Sequence, residues 1–258
     1  MDEFCLHVMK IILKYIISLK ILLWACIAIY PQSYPFRSIS VAEGLQDLIV
    51  NALYKDSLGY IWIGTASSLE RFDGVHLKSF PIPEEGKRKD VNTIIEMPGH
   101  ELWMGNRTGL WKVNGEKLLR VAADTIRSGV YSLCSDGKGT LYIGSESGLF
   151  IYNSKGVERI LLDPNVLSGA NFIMGMALDD RDILWVITRK GLYSVVLSGK
   201  SILFHPCLMN GQVYEDGYNN IYSLGSMLYL GTTEKGIITF DKSVSYTHLR
   251  AHETAANL

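Results

Sequence analysis

The sequence has little cysteine and no excess of either charge. Its four cysteines, Cys5, Cys26, Cys134 and Cys207, lie far apart, so they form neither a CxxC metal motif nor a dense disulfide framework. The 25 basic and 26 acidic residues are mixed along the chain and give a formal charge of −1. A basic face is therefore missing, and we expect no contact with nucleic acid.

A long uninterrupted hydrophobic run is also missing, because the apolar N-terminal segment contains lysines. Three of them precede the apolar run Ile21 to Tyr30, which ends at Pro31. This order of charged, apolar and polar segments predicts a secretory signal peptide over residues 1–30, with Met9 as an alternative start. The chain is then expected to be exported.

An uncleaved membrane anchor is the rival interpretation of the same segment. A span of about 20 residues would have to contain Lys14 and Lys20, each costing about 2.5–3.5 kcal/mol near the bilayer centre. A lipoprotein signal ending at Cys26 would place the bulky Trp24 where a small residue is preferred. The signal peptide is the favoured interpretation.

Motifs of catalysis, cofactor binding and metal binding are missing as well. The sequence has no phosphate-binding glycine loop, no GxSxG elbow and no HExxH motif. His248 and His252 have a helical spacing but no evident third ligand. The cluster Asp179 to Asp182 is interpreted as a solvated turn, with calcium binding as the minor alternative. We expect no catalytic residue, no cofactor and no metal, and hence no enzyme.

What the sequence does contain is a repeat of about 42 residues. GYIWIGTASSLERFDG, HELWMGNRTGLWKVNG and GTLYIGSESGLFIYNS align without gaps, and two weaker copies follow. Ser68 stands where glycine is expected, and Ile187 stands where the other copies have glycine. The conserved core of the repeat comprises Trp62, Gly64 and Thr65; Trp103, Gly105 and Gly109; Tyr142, Gly144 and Gly148; Trp185 and Gly191; and Tyr229, Gly231 and Gly236.

Each copy predicts short antiparallel strands joined by tight turns. Apolar runs are bounded by turn residues, and the dipeptides Asp73-Gly74, Asn114-Gly115 and Asp136-Gly137 can adopt positive φ. We therefore predict an all-β fold of five four-stranded propeller blades over residues 46–242, after a lead-in strand at 31–45. The glycine after the second strand is expected to let a neighbouring backbone approach closely.

The core aromatics are predicted to pack between blades rather than to bind ligand, because each recurs once per blade within an apolar strand. A binding site should instead break the repeat. We expect it in loops at one mouth of the central channel, where each blade contributes a different residue.

The lead-in Phe36 to Leu45 and the first repeat, Val50 to Thr65, closely resemble the start of the two-component regulator propeller family. Members are hybrid sensors of gut Bacteroidetes, usually with two seven-bladed periplasmic propellers and an Ig-like domain. A membrane helix, a histidine kinase, a receiver and a DNA-binding domain follow. The resemblance implies a periplasmic sensor region for a small carbohydrate, in a full-length protein that is a homodimer anchored in the inner membrane.

Residues 243–258 depart from the repeat and resemble translated sequencing-adapter read-through. We therefore expect a fragment of a seven-bladed propeller, with the kinase outside this chain and apolar faces exposed at both ends. A self-contained five-bladed interaction module, closed into a ring, is one alternative. A propeller lyase or hydrolase is another, but it would need clustered acidic or histidine residues in the channel.

Overall fold

The computed structural model describes residues 3–27, 38–83, 89–198, 201–206, 208–209, 212–213 and 217–242. The chain divides into two compact units, Met1–Ser38 and Ile39–Leu258. The predicted non-native tail at 243–258 and the histidine pair within it lie outside the described residues, as does Cys207.

The N-terminal unit contains one helix, α1 (Glu3–Ile27). The predicted signal segment is therefore helical over most of its length, and the helix starts before Met9. Across the described parts of the chain, no helix combines the length and the apolar character that a membrane crossing requires. A role of this segment in export stays a prediction.

The second unit begins with a short helical turn where the sequence predicted a strand. Ser40 caps a 3₁₀ helix, Val41–Glu43, and its hydroxyl accepts a hydrogen bond from the Ala42 amide. The Glu43 carboxylate in turn accepts one from the Ser40 amide at 2.8 Å. This reciprocal capping box favours a helical turn over an extended strand, which is why the prediction was wrong for the described part of the lead-in.

The remainder is all-β and forms consecutive antiparallel sheets, which we call blades 1 to 5. Blades 1 to 4 have four strands each, and blade 5 has three in the described residues. Blade 1 comprises β1 (Val50–Lys55), β2 (Ile61–Thr65), β3 (Leu69–Phe72) and β4 (Leu77–Phe80). Blade 2 comprises β5 (Val91–Met97), β6 (Glu101–Asn106), β7 (Gly109–Asn114) and β8 (Lys117–Val121). Blade 3 comprises β9 (Val130–Ser135), β10 (Leu141–Ser145), β11 (Gly148–Asn153) and β12 (Gly156–Ile160).

After blade 3, a 3₁₀ helix (Gly169–Asn171) leads into the fourth blade. Blade 4 comprises β13 (Ile173–Leu178), β14 (Ile183–Thr188), β15 (Gly191–Ser198) and β16 (Ser201–Pro206). A two-stranded ribbon, β17 (Leu208–Met209) and β18 (Gln212–Val213), separates it from blade 5. Blade 5 comprises β19 (Tyr218–Leu224), β20 (Met227–Thr232) and β21 (Ile237–Asp241). The five-bladed, antiparallel prediction is confirmed, although the fifth blade is smaller than expected.

Within each blade the strands pair in chain order, so consecutive strands are neighbours in the sheet. Three of the predicted turn glycines have positive φ: Gly74 at 101°, Gly115 at 60° and Gly137 at 68°. Only glycine adopts such angles at no steric cost. The turn prediction is confirmed at these three positions.

Between blades, two unlike surfaces meet. We call the side of a blade that contacts the preceding blade its leading face, and the side that contacts the following blade its trailing face. The trailing face of blade 2 presents Trp103 and Leu110, which pack on Val130, Leu133 and Leu141 of blade 3. The same arrangement recurs at the other three junctions. The hydrophobic core of this unit is therefore a series of layers between blades.

The repeat glycine on the second strand makes room for a side chain of the next blade. A Cβ atom on Gly64 would lie 2.6 Å from Val91 Cγ1, and one on Gly144 would lie 2.5 Å from Ile173 Cγ2. Gly105 meets Val130 in the same way. The close approach was predicted for neighbouring backbone, and the structure corrects this: a β-branched side chain fills the space.

Blade 4 lacks this glycine but compensates on the adjacent strand. Ile187 replaces the glycine, and its Cα partner across β13 and β14 is Gly175. A Cβ atom on Gly175 would lie 2.7 Å from Ile187 Cδ1. In blades 1 and 2 the glycine lies on the second strand and faces Ala52 or Thr93 on the first. In blade 4 the glycine lies on the first strand instead, and the larger residue lies on the second.

Candidate ligand-binding site at the mouth of the blades

Every blade carries one β-bulge at the same place, where its first and second strands pair. In blade 1 the register shifts between Val50 and Ala52, which leaves Asn51 outside the ladder. Equivalent shifts occur in the other four blades. A bulge re-aims the side chain of the extra residue. The five bulge residues, Asn51, Asn92, Tyr131, Met174 and Asn219, all line one cavity.

A second position per blade lies in the turn between the second and third strands. Blades 2, 3 and 4 place Arg107, Glu146 and Arg189 there, and all three line the same cavity. In blades 3 and 4 the backbone N–H groups of Glu146 and Arg189 donate to the carbonyls of Gly129 and Phe172. These bonds hold the turn against the start of the first strand, so the two variable positions of a blade lie side by side.

The cavity has a volume of about 520 Å³, and all five blades contribute to its lining. Asp90, Phe172 and Tyr218 complete the lining. This volume lies within the range of typical small-molecule sites. The cavity lies where a site at one mouth of the blades was expected, although three of its five bulge residues are asparagine, and ligand binding there stays a prediction.

Blades 2 and 3 contribute an ion pair and a hydrogen-bonded pair to the lining. The Arg107 guanidinium lies 3.1 Å from the Asp90 carboxylate, measured from Nε to Oδ2. The Tyr131 hydroxyl donates to Glu146 Oε1 at 2.6 Å. Burial and this contact with Glu146 raise the pKa of Tyr131 to about 12, although the two arginines act in the opposite direction. The phenol is therefore protonated at neutral pH and acts as a donor.

Blades 3 and 4 contribute an aromatic surface beside these charges. The Arg189 guanidinium lies 3.8 Å from the centroid of the Phe172 ring, and the Tyr131 and Phe172 ring centroids lie 5.2 Å apart. Stacking of this kind orients a guanidinium while leaving its N–H donors available. Within the described residues, no carboxylate forms an ion pair with Arg189.

The chemistry of the lining suits a polar and uncharged ligand. Two guanidinium groups, Arg107 and Arg189, oppose two carboxylates, Asp90 and Glu146, so the formal charges cancel. Three asparagine side chains add amide donors and acceptors, and aromatic rings supply apolar contact area. Hydroxyl groups of a ligand would find both donors and acceptors here.

The repeat core residues lie elsewhere, in the layers between blades. Trp62, Trp103, Tyr142 and Trp185 are buried there, and none of them lines the cavity. Tyr229 differs, since 36% of it is exposed. The expected packing between blades is incomplete at this residue because no blade covers the trailing face of blade 5 in the described part of the chain.

The hydroxyl residue that ends the second strand closes the turn of its own blade. Thr65 Oγ1 donates to the Ser68 carbonyl at 3.0 Å, and Ser145 Oγ donates to the Gly148 carbonyl at 2.9 Å. Thr188 bonds the carbonyl of Gly191, and Thr232 that of Gly236, in the same way. The turn glycines Gly109, Gly148, Gly191 and Gly236 all have positive φ. These contacts fix the loops that carry Glu146 and Arg189. In blade 2, Asn106 Oδ1 instead accepts from the Thr108 and Gly109 amides and fixes the loop of Arg107.

In blade 1, Ser68 occupies the turn position that is glycine in the other blades. It is not among the described residues with positive φ, and its hydroxyl donates to Glu70 Oε1 at 2.5 Å. Glu70 occupies the position of Trp111 and Phe150 in the next two blades. The departure at Ser68 is therefore coupled to a buried carboxylate on the neighbouring strand.

The acidic cluster Asp179 to Asp182 is only partly the solvated turn that the sequence predicted. Asp179 is buried, and its carboxylate accepts the amides of Arg181 and Ile183 and the indole N–H of Trp185. Burial opposes ionisation, but these hydrogen bonds hold the pKa of Asp179 below its usual value. Within the described ranges, no group of three His, Cys, Asp or Glu side chains is arranged to hold a metal ion.

A serine, a histidine and a glutamate meet between blades 1 and 2. His100 Nδ1 lies 2.8 Å from Ser57 Oγ and 3.0 Å from Glu96 Oε1. A catalytic triad needs serine and carboxylate on different ring nitrogens, whereas here the same nitrogen faces both. The cluster instead joins the first turns of two blades.

None of the cavity residues was singled out in the sequence. The available signal was the position after Thr65, Asn106, Ser145, Thr188 and Thr232. It holds Ala, Arg, Glu, Arg and Thr in the five copies, whereas the second strand carries an aromatic residue in all of them. The bulge positions have no such marker, because a bulge is a property of strand pairing.

Five consecutive antiparallel sheets with a shared cavity define this unit as a β-propeller array. The family model for the two component regulator propeller matches residues 44–67. The chain therefore carries a two component regulator propeller repeat, which confirms the resemblance of its first repeat. Among curated proteins, none matches this sequence.

Solved structures share the fold. The extracellular domain of the proposed hybrid two component system BT4673 from B. thetaiotaomicron matches with a TM-score of 0.65 and 20% identity, covering 79% of this chain and 28% of that one. A second structure of the BT4673 extracellular domain gives a TM-score of 0.57 and 16% identity, covering 86% of this chain and 38% of that one. Virginiamycin B lyase from Staphylococcus aureus matches with a TM-score of 0.60 and 16% identity, covering 83% of this chain and 73% of that one. This chain thus spans well under half of the two sensor domains.

Proposed function

We propose that this chain is part of the periplasmic, ligand-binding propeller region of a hybrid two-component sensor. The observation that carries the proposal is the single cavity to which every blade contributes its bulge residue, asparagine in blades 1, 2 and 5, tyrosine in blade 3 and methionine in blade 4. Loops and bulges carried on a rigid repeated scaffold are a common place for recognition. The two component regulator propeller match at residues 44–67 supports the sensor role.

The ligand class that we propose is a small, neutral, glycan-derived molecule. Sugar hydroxyls need paired donors and acceptors, which Asn51, Asn92 and Glu146 supply, and the apolar face of a sugar ring packs on aromatic rings such as Phe172. The balanced charge of the lining disfavours strongly anionic ligands.

Binding without turnover is part of this proposal. Tyr131 has a pKa of about 12, so it does not supply a base at neutral pH. The likeness to virginiamycin B lyase concerns the fold, and fold alone does not transfer an activity. In the complete sensor, we propose that a seven-bladed ring, a homodimer and a membrane helix carry the binding signal to a kinase outside this chain.

Calorimetric titration with neutral and acidic oligosaccharide libraries tests the proposal. A neutral saccharide should bind, and Arg189→Ala and Asn92→Ala should each weaken it about tenfold or more. Arg127→Ala is the matched control, because Arg127 is exposed and does not line the cavity. Equal binding by all variants would place the ligand elsewhere, and binding by no saccharide would refute the ligand class.

A further inference from the structure

A second pocket lies between blades 1 and 2, at the opposite end of the blades from the cavity at the mouth. Strand β1 runs from Asn51, which lines that cavity, towards Asp56, which lines the second pocket. Five residues of extended chain separate the two by roughly 15 Å. We call the second space the junction pocket. Its volume is about 200 Å³, which is below the range of about 300–1,000 Å³ for drug-sized ligands, so it suits only a small molecule.

The guanidinium of Arg71 lines the junction pocket without an acceptor from the chain. It lies 4.4 Å from the centroid of the Tyr60 ring and 5.8 Å from that of the Trp62 ring. Among the described residues, no carboxylate forms an ion pair with Arg71, and its buried Nε has no hydrogen-bond partner. A guanidinium held in this way on aromatic rings is oriented but not neutralised.

The equivalent cation of blade 2 does have a carboxylate. Lys112 takes the position of Arg71, since each pairs across the second and third strands with the core tryptophan of its own blade. Lys112 Nζ lies 2.6 Å from Glu101 Oε1 and 5.4 Å from the centroid of the Trp103 ring. In blade 1, Tyr60 stands in the place of Glu101, two residues before the tryptophan. The exchange of glutamate for tyrosine leaves Arg71 available for a carboxylate from outside the chain.

Blade 2 supplies a carboxylate to the same pocket. Glu96 accepts hydrogen bonds from the Ser57 amide at 2.8 Å and from the Ser57 hydroxyl at 2.6 Å. The bond from the hydroxyl, more than any other contact, holds the pKa of Glu96 below its usual value, so this group is ionised at neutral pH. Asp56, the other carboxylate of the lining, already accepts the indole N–H of Trp62. With two carboxylates and one guanidinium in the lining, a ligand that carries only negative charge is disfavoured.

Apolar side chains complete the junction pocket. Leu58 belongs to the first turn of blade 1, and Leu102 and Val113 belong to strands of blade 2. Contact with them favours a short aliphatic group on the ligand. The lining thus offers one cation, one accessible anion and an apolar surface within a small volume.

We infer that the junction pocket binds a free α-amino acid with a short aliphatic side chain. The carboxylate of the amino acid accepts from the planar fork of Arg71, a geometry that suits a guanidinium better than an ammonium group. Its own ammonium group pairs with Glu96, and its side chain contacts Leu102 and Val113. This site is separate from the cavity at the mouth, so the inference does not depend on the ligand proposed there.

Calorimetric titration with L-valine tests the inference against two analogues that each lack one charged group. Isovalerate lacks the ammonium group and isobutylamine lacks the carboxylate. L-valine should bind, and each analogue should bind at least about tenfold more weakly. L-alanine and L-leucine extend the range of side chains. Absence of binding by all three amino acids would overturn the inference, as would an analogue that binds as well as L-valine.

Substitution at Arg71 locates the bound amino acid. Arg71→Gln should weaken the binding of L-valine about tenfold or more, whereas Arg71→Lys keeps the charge and should retain part of the affinity. Lys112→Gln is the matched control, because it removes the cation at the same position of blade 2 and Lys112 does not line the pocket. It should bind like the parent chain. Unchanged binding by Arg71→Gln would place the amino acid elsewhere and contradict the inference.

Glu96→Gln probes the other end of the ligand independently. It should weaken L-valine about tenfold or more but leave isovalerate unchanged, because isovalerate has no ammonium group to pair with the carboxylate. An equal loss for both ligands would refute the assigned pairing. Thermal melts show whether each variant keeps its fold.

A cross-test separates this site from the proposed saccharide site. Asn92→Ala alters the cavity at the mouth and should leave the binding of L-valine unchanged, while Arg71→Gln should leave the binding of a neutral saccharide unchanged. Either site can therefore fail its test without affecting the result for the other. Loss of L-valine binding in Asn92→Ala with the fold retained would place the amino acid at the mouth and overturn the inference.

Discussion

The indole N–H of Trp62 donates a hydrogen bond to the carboxylate of Asp56, with 2.8 Å between Nε1 and Oδ2. Asp179 and Trp185 repeat the arrangement in blade 4 at 3.1 Å. Blade 2 has Met97 six residues before its tryptophan, and Trp103 Nε1 is buried without a hydrogen-bond partner. The same repeat position thus has a satisfied indole in two blades and an unsatisfied one in a third.

This contrast predicts different costs for the same substitution. Trp62→Phe removes a donor from the buried carboxylate of Asp56, whereas Trp103→Phe removes an N–H group that has no partner. Both rings are almost fully buried, so the loss of apolar contact is similar. We expect Trp62→Phe to lower the free energy of unfolding by about 1–3 kcal/mol more than Trp103→Phe, measured by urea denaturation. Equal costs would contradict the assigned hydrogen bond.

The repeat glycine should be intolerant of a methyl group only where the next blade fills its space. Gly64→Ala would place a Cβ 2.6 Å from Val91 Cγ1, and overpacking of this kind costs about 1–3 kcal/mol. Gly231→Ala is the matched control, because nothing lies within 3.7 Å of its Cβ position. Thermal melts should show a lower Tm for Gly64→Ala and little change for Gly231→Ala. A similar loss in both would refute the steric explanation.

The exchanged pair in blade 4 should behave as a coupled unit. Gly175→Ala places a methyl group against Ile187, and Ile187→Gly leaves a void, so each change alone should destabilise the chain. The double variant restores the arrangement Ala52 and Gly64 have in blade 1. Denaturation of all four proteins gives a double-mutant cycle, and we expect the double variant to be more stable than the sum of the single losses predicts. Strict additivity would exclude the coupling.

Glu70 should make stability depend on pH. Burial raises its pKa, although hydrogen bonds from Ser68 and Gln46 partly oppose this. A carboxyl group whose pKa is raised in the folded state favours folding in its protonated form, so its contribution is complete below pH 4.5 and is lost as the pH rises through the folded value.

We therefore expect Glu70→Gln to be more stable than the parent at neutral pH, with a difference that shrinks below pH 4.5. Measuring the Tm of both proteins from neutral pH to below pH 4.5 checks the sign of this stability difference. Glu116→Gln is the control, because Glu116 is exposed and ion-paired with Lys78, which lowers its pKa. A parent that is more stable than Glu70→Gln at neutral pH would show that the ionised form is favoured.

The sequence by itself determined the blades. Alternation of apolar strands with turn glycines is a local pattern, so the repeat around Trp62, Trp103 and Tyr142 predicts the number of blades and their antiparallel order. The positive φ of Gly74, Gly115 and Gly137 follows from the same local chemistry. A binding site at one mouth of the blades stays a prediction of the same repeat.

Only the tertiary structure decided which residues line the cavity and which side chains meet between blades. The bulges that aim Asn92 and Tyr131 into the cavity depend on strand register, which no single residue specifies. The exchange between Gly175 and Ile187 depends on what packs across a strand pair and a blade junction. These contacts join residues distant in the chain, so a pattern of neighbours along the sequence does not contain them.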